Sequence, residues 1–441
     1  MPLTLAIPGV PAQTTEGAVE ALTALLGLAL VVALVARRLR FPYTLALAIV
    51  GLALGLSHLV SGVELQPDVV LFIVLPALLF EGAWNIEAAA LLANWALVLL
   101  LAAPGLLVAV AIAALALHLG AGFAPLEAVL LAAIVSPTDP IAVLALLRQL
   151  GLSSRLRVII EGESLFNDGV GAVVFSITLA VTLLALQTGA GGPSTAQSWT
   201  LALQGVWLLL GGPLIGLALG FLVSRALRHI EDHLIETAAT FITAYGVYLL
   251  ADLAHTSGLL AVVLAGLMLG SYGRRVGISA SAREAVDNAW EFVSFVVTSL
   301  LFLLLGAQIG GALAGESLAP MLWATVGVLV GRAVIIYGGL PLYNALARWW
   351  DARQSGAPAR GRPTPVPNAW RPLLLLSGLR GALSIALALS LPATLPDRDL
   401  IASVVYGVVL ITLVGQGIGL RALLPRWPGL REAPSASPQP D

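Results

Sequence analysis

The sequence predicts an all-α polytopic membrane protein with about thirteen transmembrane helices, and three observations predict it. Hydrophobic residues make up 59% of the 441 and charged residues only 10%, with a mean hydropathy of +0.97. A water-soluble chain of this length could not carry that balance. The apolar residues fall in runs near the roughly 20 residues that a bilayer crossing requires, and the arginines lie between the runs, dense in one loop and sparse in the next.

In chain order the runs centre on residues 17–36, 43–60, 68–83, 92–118, 125–148, 156–185, 200–227, 234–252, 257–271, 286–311, 319–346, 371–391 and 399–424. The ninth is short, and the fifth and twelfth are interrupted by Pro, Gly and charge. Nineteen of the 22 basic residues, all arginine, fall in alternate loops: Arg37, Arg38 and Arg40, then Arg148 to Arg157, Arg225 and Arg228, Arg274 to Arg283, Arg348 to Arg371, and Arg421 onward. The opposite side carries only Arg398. The bias places the N-terminus outside and the C-terminus in the cytoplasm of a plasma (inner) membrane. Met1 to Val10 lacks a basic n-region, so the first run is expected to stay as a membrane helix. The Pro-, Gly- and Arg-rich stretch from Trp349 to Asn368 reads as a cytoplasmic loop. Residues 425–441 read as a disordered tail.

Composition also excludes function classes. With no cysteine there is no disulfide, thiolate metal site or cysteine nucleophile. No phosphate-binding loop, metal-ligand spacing or nucleophile motif supports an enzyme or a cofactor. The net charge of -2 gives no nucleic-acid signature, because the arginines sit in loops. The five histidines lie near span ends and read as interfacial.

Two spans are broken at matching positions, the pattern of transporters built from inverted repeats. In the fifth, Ser136-Pro137-Thr138-Asp139-Pro140 interrupts the apolar run, because the prolines remove backbone donors and clash with the preceding turn. Asp139 before Pro140 is a helix start, its carboxylate facing the positive end of the second half-helix. In the twelfth, Ser377-Gly378-Leu379-Arg380-Gly381 does the same, with a cation after the negative end of the first half. The fifth span runs inward and the twelfth outward, as expected if spans one to six repeat as eight to thirteen around a seventh linker.

The chemistry sits in the sixth span. A carboxylate at the centre of a bilayer costs roughly 3 kcal/mol on insertion scales, so it is tolerated where it lines an ion path or has a partner. Asp168 is such a residue. With about 3.6 residues per turn, Ser164 lies one turn before it on the same face, and Asn167 stands beside it. A carboxylate, a hydroxyl and an amide are hard oxygen donors suited to a small alkali cation. Thr138 can add a hydroxyl and the unwound backbone around it carbonyls, since irregular backbone at membrane depth is tolerated where it lines a cavity. Glu81 either adds a further oxygen from the third span or marks that span's cytoplasmic end. A bound cation favours the ionised form of a carboxylate and desolvation the protonated form, so one Asp can couple two fluxes by competition. Glu163, five residues before Asp168, reads as a structural ion-pair partner, with Arg332 the candidate counter-charge. Arg380 could instead face Asp139 where the broken helices cross.

Taken together, these residues resemble a monovalent cation:proton antiporter of the NhaP type, the branch that includes the eukaryotic sodium/proton exchangers. Its specific pieces are Ser136 to Pro140, Glu161-Gly162-Glu163-Ser164-Leu165-Phe166-Asn167-Asp168-Gly169 and Gly378-Leu379-Arg380-Gly381-Ala382. Leu75 to Glu81, His255 to Val263 and Gly331-Arg332-Ala333 support them, and the match runs from the first span to the thirteenth. The resemblance implies two crossed discontinuous helices and a homodimer. It implies a scaffold and dimer domain from residues 1–91 and 187–312, the latter including the linker span, and a mobile ion-transport core from 92–186 and 313–424. It assigns cation and proton binding to Asp168, with Asn167, Ser164, Thr138, Asp139 and Glu81 around it, and a structural ion pair to Glu163 and Arg332. The Asn-Asp pairing resembles the electroneutral branch, exchanging one Na+, Li+ or K+ for one H+. A K+/H+ antiporter of the same fold, a proton-coupled organic-anion carrier and a channel are the alternatives. An anion carrier would need a cationic pocket.

Overall fold

Fourteen helices and no strand make up the described residues, 15–39, 41–57, 66–139, 153–189, 194–312, 318–353 and 364–423, of this computed structural model. They are α1 (Thr15–Arg38), α2 (Tyr43–Leu56), α3 (Pro67–Asn85), α4 (Ala88–Ala121), α5 (Pro125–Val135), α6 (Ser154–Thr188) and α7 (Thr195–Ala226). There follow α8 (His233–Leu253), α9 (Gly258–Val276), α10 (Ala280–Ala312), α11 (Leu318–Val334 continuing through Leu340–Arg353), α12 (Arg371–Leu376), α13 (Ala382–Leu389) and α14 (Arg398–Leu423). Ten are long and apolar enough to cross a membrane. The difference from thirteen expected spans has a local cause in each case. Helix α2 is described over 14 residues, α5 stops at the Pro137 segment, and the twelfth run is divided into α12 and α13 by Ser377 to Gly381. Pro140 and the second half of the fifth run lie outside the described residues, as do the end of the second run, residues 354–363 and the tail.

Four of the helices contain a π turn, at Val70–Val74, Leu101–Gly105, Ile335–Gly339 and Leu269–Gly273. That in α4 holds Pro104, whose missing N–H cannot continue the i→i−4 ladder.

Four of the helix contacts respect the repeat. Helix α2 lies along α10 and α3 along α9, α4 lies along α11, and the break after α5 meets the break between α12 and α13. Adding seven to each span number exchanges the first two pairs and returns the others to themselves. Small residues permit this closeness, as expected where lipid supplies no hydrophobic drive and helices associate by backbone approach. A Cβ on Gly51 or Gly55 would run into the backbone carbonyl of Leu303 or Ala307, and one on Gly306 into that of Ala48. Between α4 and α11, a Cβ on Gly327 or Gly331 would run into the Cα of Ala113 or Ala109.

Because the obstacle at these glycines is backbone, a larger residue cannot be accommodated by a rotamer change. Gly306→Val is expected to cost about 1–3 kcal/mol or more through overpacking and to lower the midpoint of thermal unfolding in detergent. Gly338→Ala, where nothing lies within 4 Å of the added Cβ, is expected to leave the midpoint nearly unchanged.

Candidate functional site

The Ser136 N–H closes the last turn of α5 on the Ala132 carbonyl at 3.0 Å, and the chain then runs on to Asp139 outside the helix. This stretch is held from outside. The Asp139 N–H donates to the Leu379 carbonyl at 2.8 Å, and the Arg380 guanidinium donates to the carbonyls of Ser136 and Pro137, the latter at 3.0 Å. Asp139 Oδ2 accepts from the Ala382 N–H at 3.4 Å, at the start of α13. Two glycines make this crossing possible. A Cβ on Gly381 would collide with the Asp139 side chain, and one on Gly378 with the Arg332 guanidinium.

Helix α6 passes the crossing and divides it. Ser164 Oγ donates to the Thr138 carbonyl at 2.6 Å, and Asn167 Nδ2 reaches Thr138 Oγ1 at 3.4 Å. On one face of α6, Asp168, Ser164 and Glu161 open into a cavity of about 300 Å³, which Thr138, Asp139 and Glu81 also line. Thr138, Ser164 and Asp168 are buried. Glu81 Oε1 accepts from Asn85 at 2.7 Å. On the other face, Glu163 meets Arg332 in a two-pronged ion pair at 2.6 and 3.2 Å, with both side chains buried. Arg332 also donates to the Leu374 carbonyl and to Ser377 Oγ, so this pair ties α6 and α11 to the broken twelfth span.

The structure thus brings Asp168, Ser164, Thr138, Asp139 and Glu81 to one cavity. It sets Asn167, with Glu163, Arg332 and Arg380, at the second face and outside the lining of that cavity. Arg380 is directed at the backbone carbonyls of Ser136 and Pro137.

Several lining residues escape a sequence reading. Tyr43, Glu291, Ser294, Phe295 and Ser384 all border the main cavity. Glu291 had a signal, a third acid after Glu284 and Asp287 at helical spacing on α10. Nothing local marks Tyr43. Trp84, Arg274 and Asp287 form a further cluster in which Trp84 Nε1 donates to Asp287 at 2.6 Å, Arg274 pairs with the same carboxylate, and its guanidinium stacks over the Trp84 ring at 4.5 Å. It joins α3, α9 and α10 and lies outside the cavity lining.

A buried carboxylate flanked by hydroxyls where two broken segments cross, in a frame of membrane-spanning helices, defines a secondary transporter of small cations. The chain belongs to the transmembrane sodium/hydrogen exchanger family, which it matches over residues 24–426. It is 37% identical over 385 residues to the low-affinity Na+/H+ antiporter NhaS1 of Synechocystis sp., covering 87% of this chain and 69% of that one. To the Na+/H+ antiporter NhaP of Pseudomonas aeruginosa it is 36% identical over 357 residues, 80% of this chain and 79% of that one. The solved structure of the sodium proton antiporter MjNhaP1 from Methanocaldococcus jannaschii shares the fold, with a TM-score of 0.66 at 20% identity over 93% of this chain and 99% of that one.

Removing one member of a buried ion pair strands the other charge, which costs about 3–5 kcal/mol, whereas replacing both by apolar groups is often neutral. Glu163→Met and Arg332→Met are therefore each expected to reduce folded yield and thermal stability sharply. The double variant is expected to recover most of the loss in a fluorescence-detected melting assay.

Proposed function

We propose that this exchanger moves one Na+ against one H+, with both competing for Asp168. The observation that carries this reading is the charge of the main cavity. Glu81, Asp139, Glu161, Asp168 and Glu291 line it, and none of the lining residues among those described is basic. A cavity so composed concentrates cations and repels anions, which argues against an organic-anion carrier.

In this reading the cation sheds water for the Asp168 carboxylate, Ser164 Oγ and Thr138 Oγ1, with Glu81 approaching from α3. The Ser164 hydroxyl proton is committed to the Thr138 carbonyl, so the lone pairs of Ser164 remain for the ion. Asp139 anchors the crossing from the cavity side. The single exchanging carboxylate takes either a cation or a proton, which keeps the cycle electroneutral. Li+ and K+ meet the same oxygen donors, and their ranking follows from how closely those donors can approach.

The helix contacts favour a division into two bodies. Helices α1 to α3 pack with α7 to α10, and α4 to α6 with α11 to α14. We take the first group as a scaffold that forms a homodimer and the second as the moving core. The N-terminus lies outside and the C-terminus in the cytoplasm of the plasma membrane.

The test uses the purified chain in liposomes with an imposed pH gradient, reading lumenal pH as Na+, Li+ or K+ is added. Cation-driven proton flux is expected to persist with the voltage clamped at zero and to vanish in Asp168→Asn. Flux that follows the clamped voltage would overturn the one-for-one stoichiometry, and full activity in the variant would overturn the assignment to Asp168. The same assay checks the competition. Protons displace Na+ from a shared carboxylate, so the apparent KM for Na+ is expected to rise as pH falls, approaching about tenfold per pH unit where the proton dominates, with the maximal rate unchanged.

A further inference from the structure

Behind the crossing lies a second cavity of about 20 Å³, bordered by Ser136, Thr138, Glu163, Asn167, Arg332 and Arg380 and by apolar residues of the two π turns, Leu101, Gly105, Ile335 and Ile336. A single water centre needs about 10–15 Å³ of such space and two to four polar partners. The hydrogen bonds already made in the protein show which partners are left.

Arg332 uses Nε on Leu374 and both terminal nitrogens on Glu163, whose two carboxylate oxygens are thereby engaged. Thr138 Oγ1 accepts from Asn167 Nδ2, and Arg380 reaches the Ser136 and Pro137 carbonyls. Three buried polar atoms of the lining then remain without a protein partner: Asn167 Oδ1, Ser136 Oγ and Arg380 Nε. Their residues are only 2%, 1% and 1% exposed. Each unsatisfied group of this kind costs about 1–3 kcal/mol, and at membrane depth no bulk solvent relieves it.

We propose that this cavity is a binding site for one structural water molecule. One water can engage all three atoms. Arg380 Nε donates one hydrogen bond to the water oxygen. Asn167 Oδ1 accepts one from a water hydrogen. Ser136 Oγ takes the second hydrogen. A small anion fits less well, because it would face the Glu163 carboxylate and the Asn167 carbonyl oxygen, and a cation would face two guanidinium groups. The water joins three segments that are distant in sequence: α6 through Asn167, the broken fifth span through Ser136, and the broken twelfth through Arg380. It also fixes the Asn167 amide with its oxygen toward Arg380 and its nitrogen toward Thr138, so that the crossing and α6 move as one piece. None of this depends on which cation is exchanged.

The test is a density map of the full chain in lipid nanodiscs at a resolution that shows ordered solvent. One peak within hydrogen-bonding distance of Asn167 Oδ1, Ser136 Oγ and Arg380 Nε is expected. Absence of a peak there overturns the proposal. A second measurement compares Ser136→Ala, which removes one partner and keeps the space, with Ser136→Val, which fills it. Melting midpoints are expected to fall by about 2 °C in the first and further in the second. In a dry cavity the added methyl groups would gain packing contacts, so a midpoint unchanged or raised by valine overturns the proposal. If valine prevents folding, the density decides alone.

Discussion

The carbonyl of Ser136 faces Pro140 in the chain, which has no N–H to offer it, and the Arg380 guanidinium donates to that carbonyl and to the one of Pro137. Everything else about the site follows from that contact. Backbone can leave helical geometry inside a membrane only where its polar groups are satisfied by protein or by a wetted cavity. One cation from the twelfth span meets this requirement for the fifth, while the Leu379 carbonyl and the Ala382 N–H engage Asp139. The break thus holds its shape with Thr138 turned toward α6. Gly378 and Gly381 are the steric condition, since any side chain there would occupy the space of Arg332 or Asp139.

Helix α6 separates charge of opposite sign. Residues 161, 164, 165 and 168 present one stripe to the main cavity, and 163 and 167 present another to the arginines. The Glu163–Arg332 pair is weak evidence for stability, because desolvating two charges offsets their attraction. Its value lies in placement. It fixes α6 against α11 and the broken twelfth span while cancelling a carboxylate that would otherwise compete with Asp168 for cations. The cavity is left anionic on one side and the basic groups are consumed on the other, which is the electrostatic condition for a carrier of small cations.

Much of this was legible in the chain. Apolar length located the ten helices long enough to span, because crossing a bilayer demands it whatever the neighbours do. The prolines at 137 and 140 and the glycines at 378 and 381 announced the breaks through backbone chemistry alone. Asp168 stood out because an intramembrane carboxylate is costly wherever it faces. The lining contributed by Tyr43, Glu291 and Ser384 was not legible, since each belongs to a helix whose own pattern accounts for it. The spacing also left open whether Arg380 would meet an acid or backbone, because a guanidinium serves either and only the position of Ser136 and Pro137 selects between them.

The sequence by itself therefore determined the all-helical membrane architecture, the two interrupted segments and the residue types able to hold a small cation. These rest on local constraints: hydrophobic length, the lost donor of proline and the cost of burying charge. Only the tertiary structure decided which face of α6 each carboxylate occupies relative to the crossing and which acid meets Arg332. It alone decided that three residues from separate segments, each with a buried polar atom lacking a partner, would line one small cavity. Those outcomes depend on distances between residues up to 244 apart in the chain, and no periodicity within a helix encodes them.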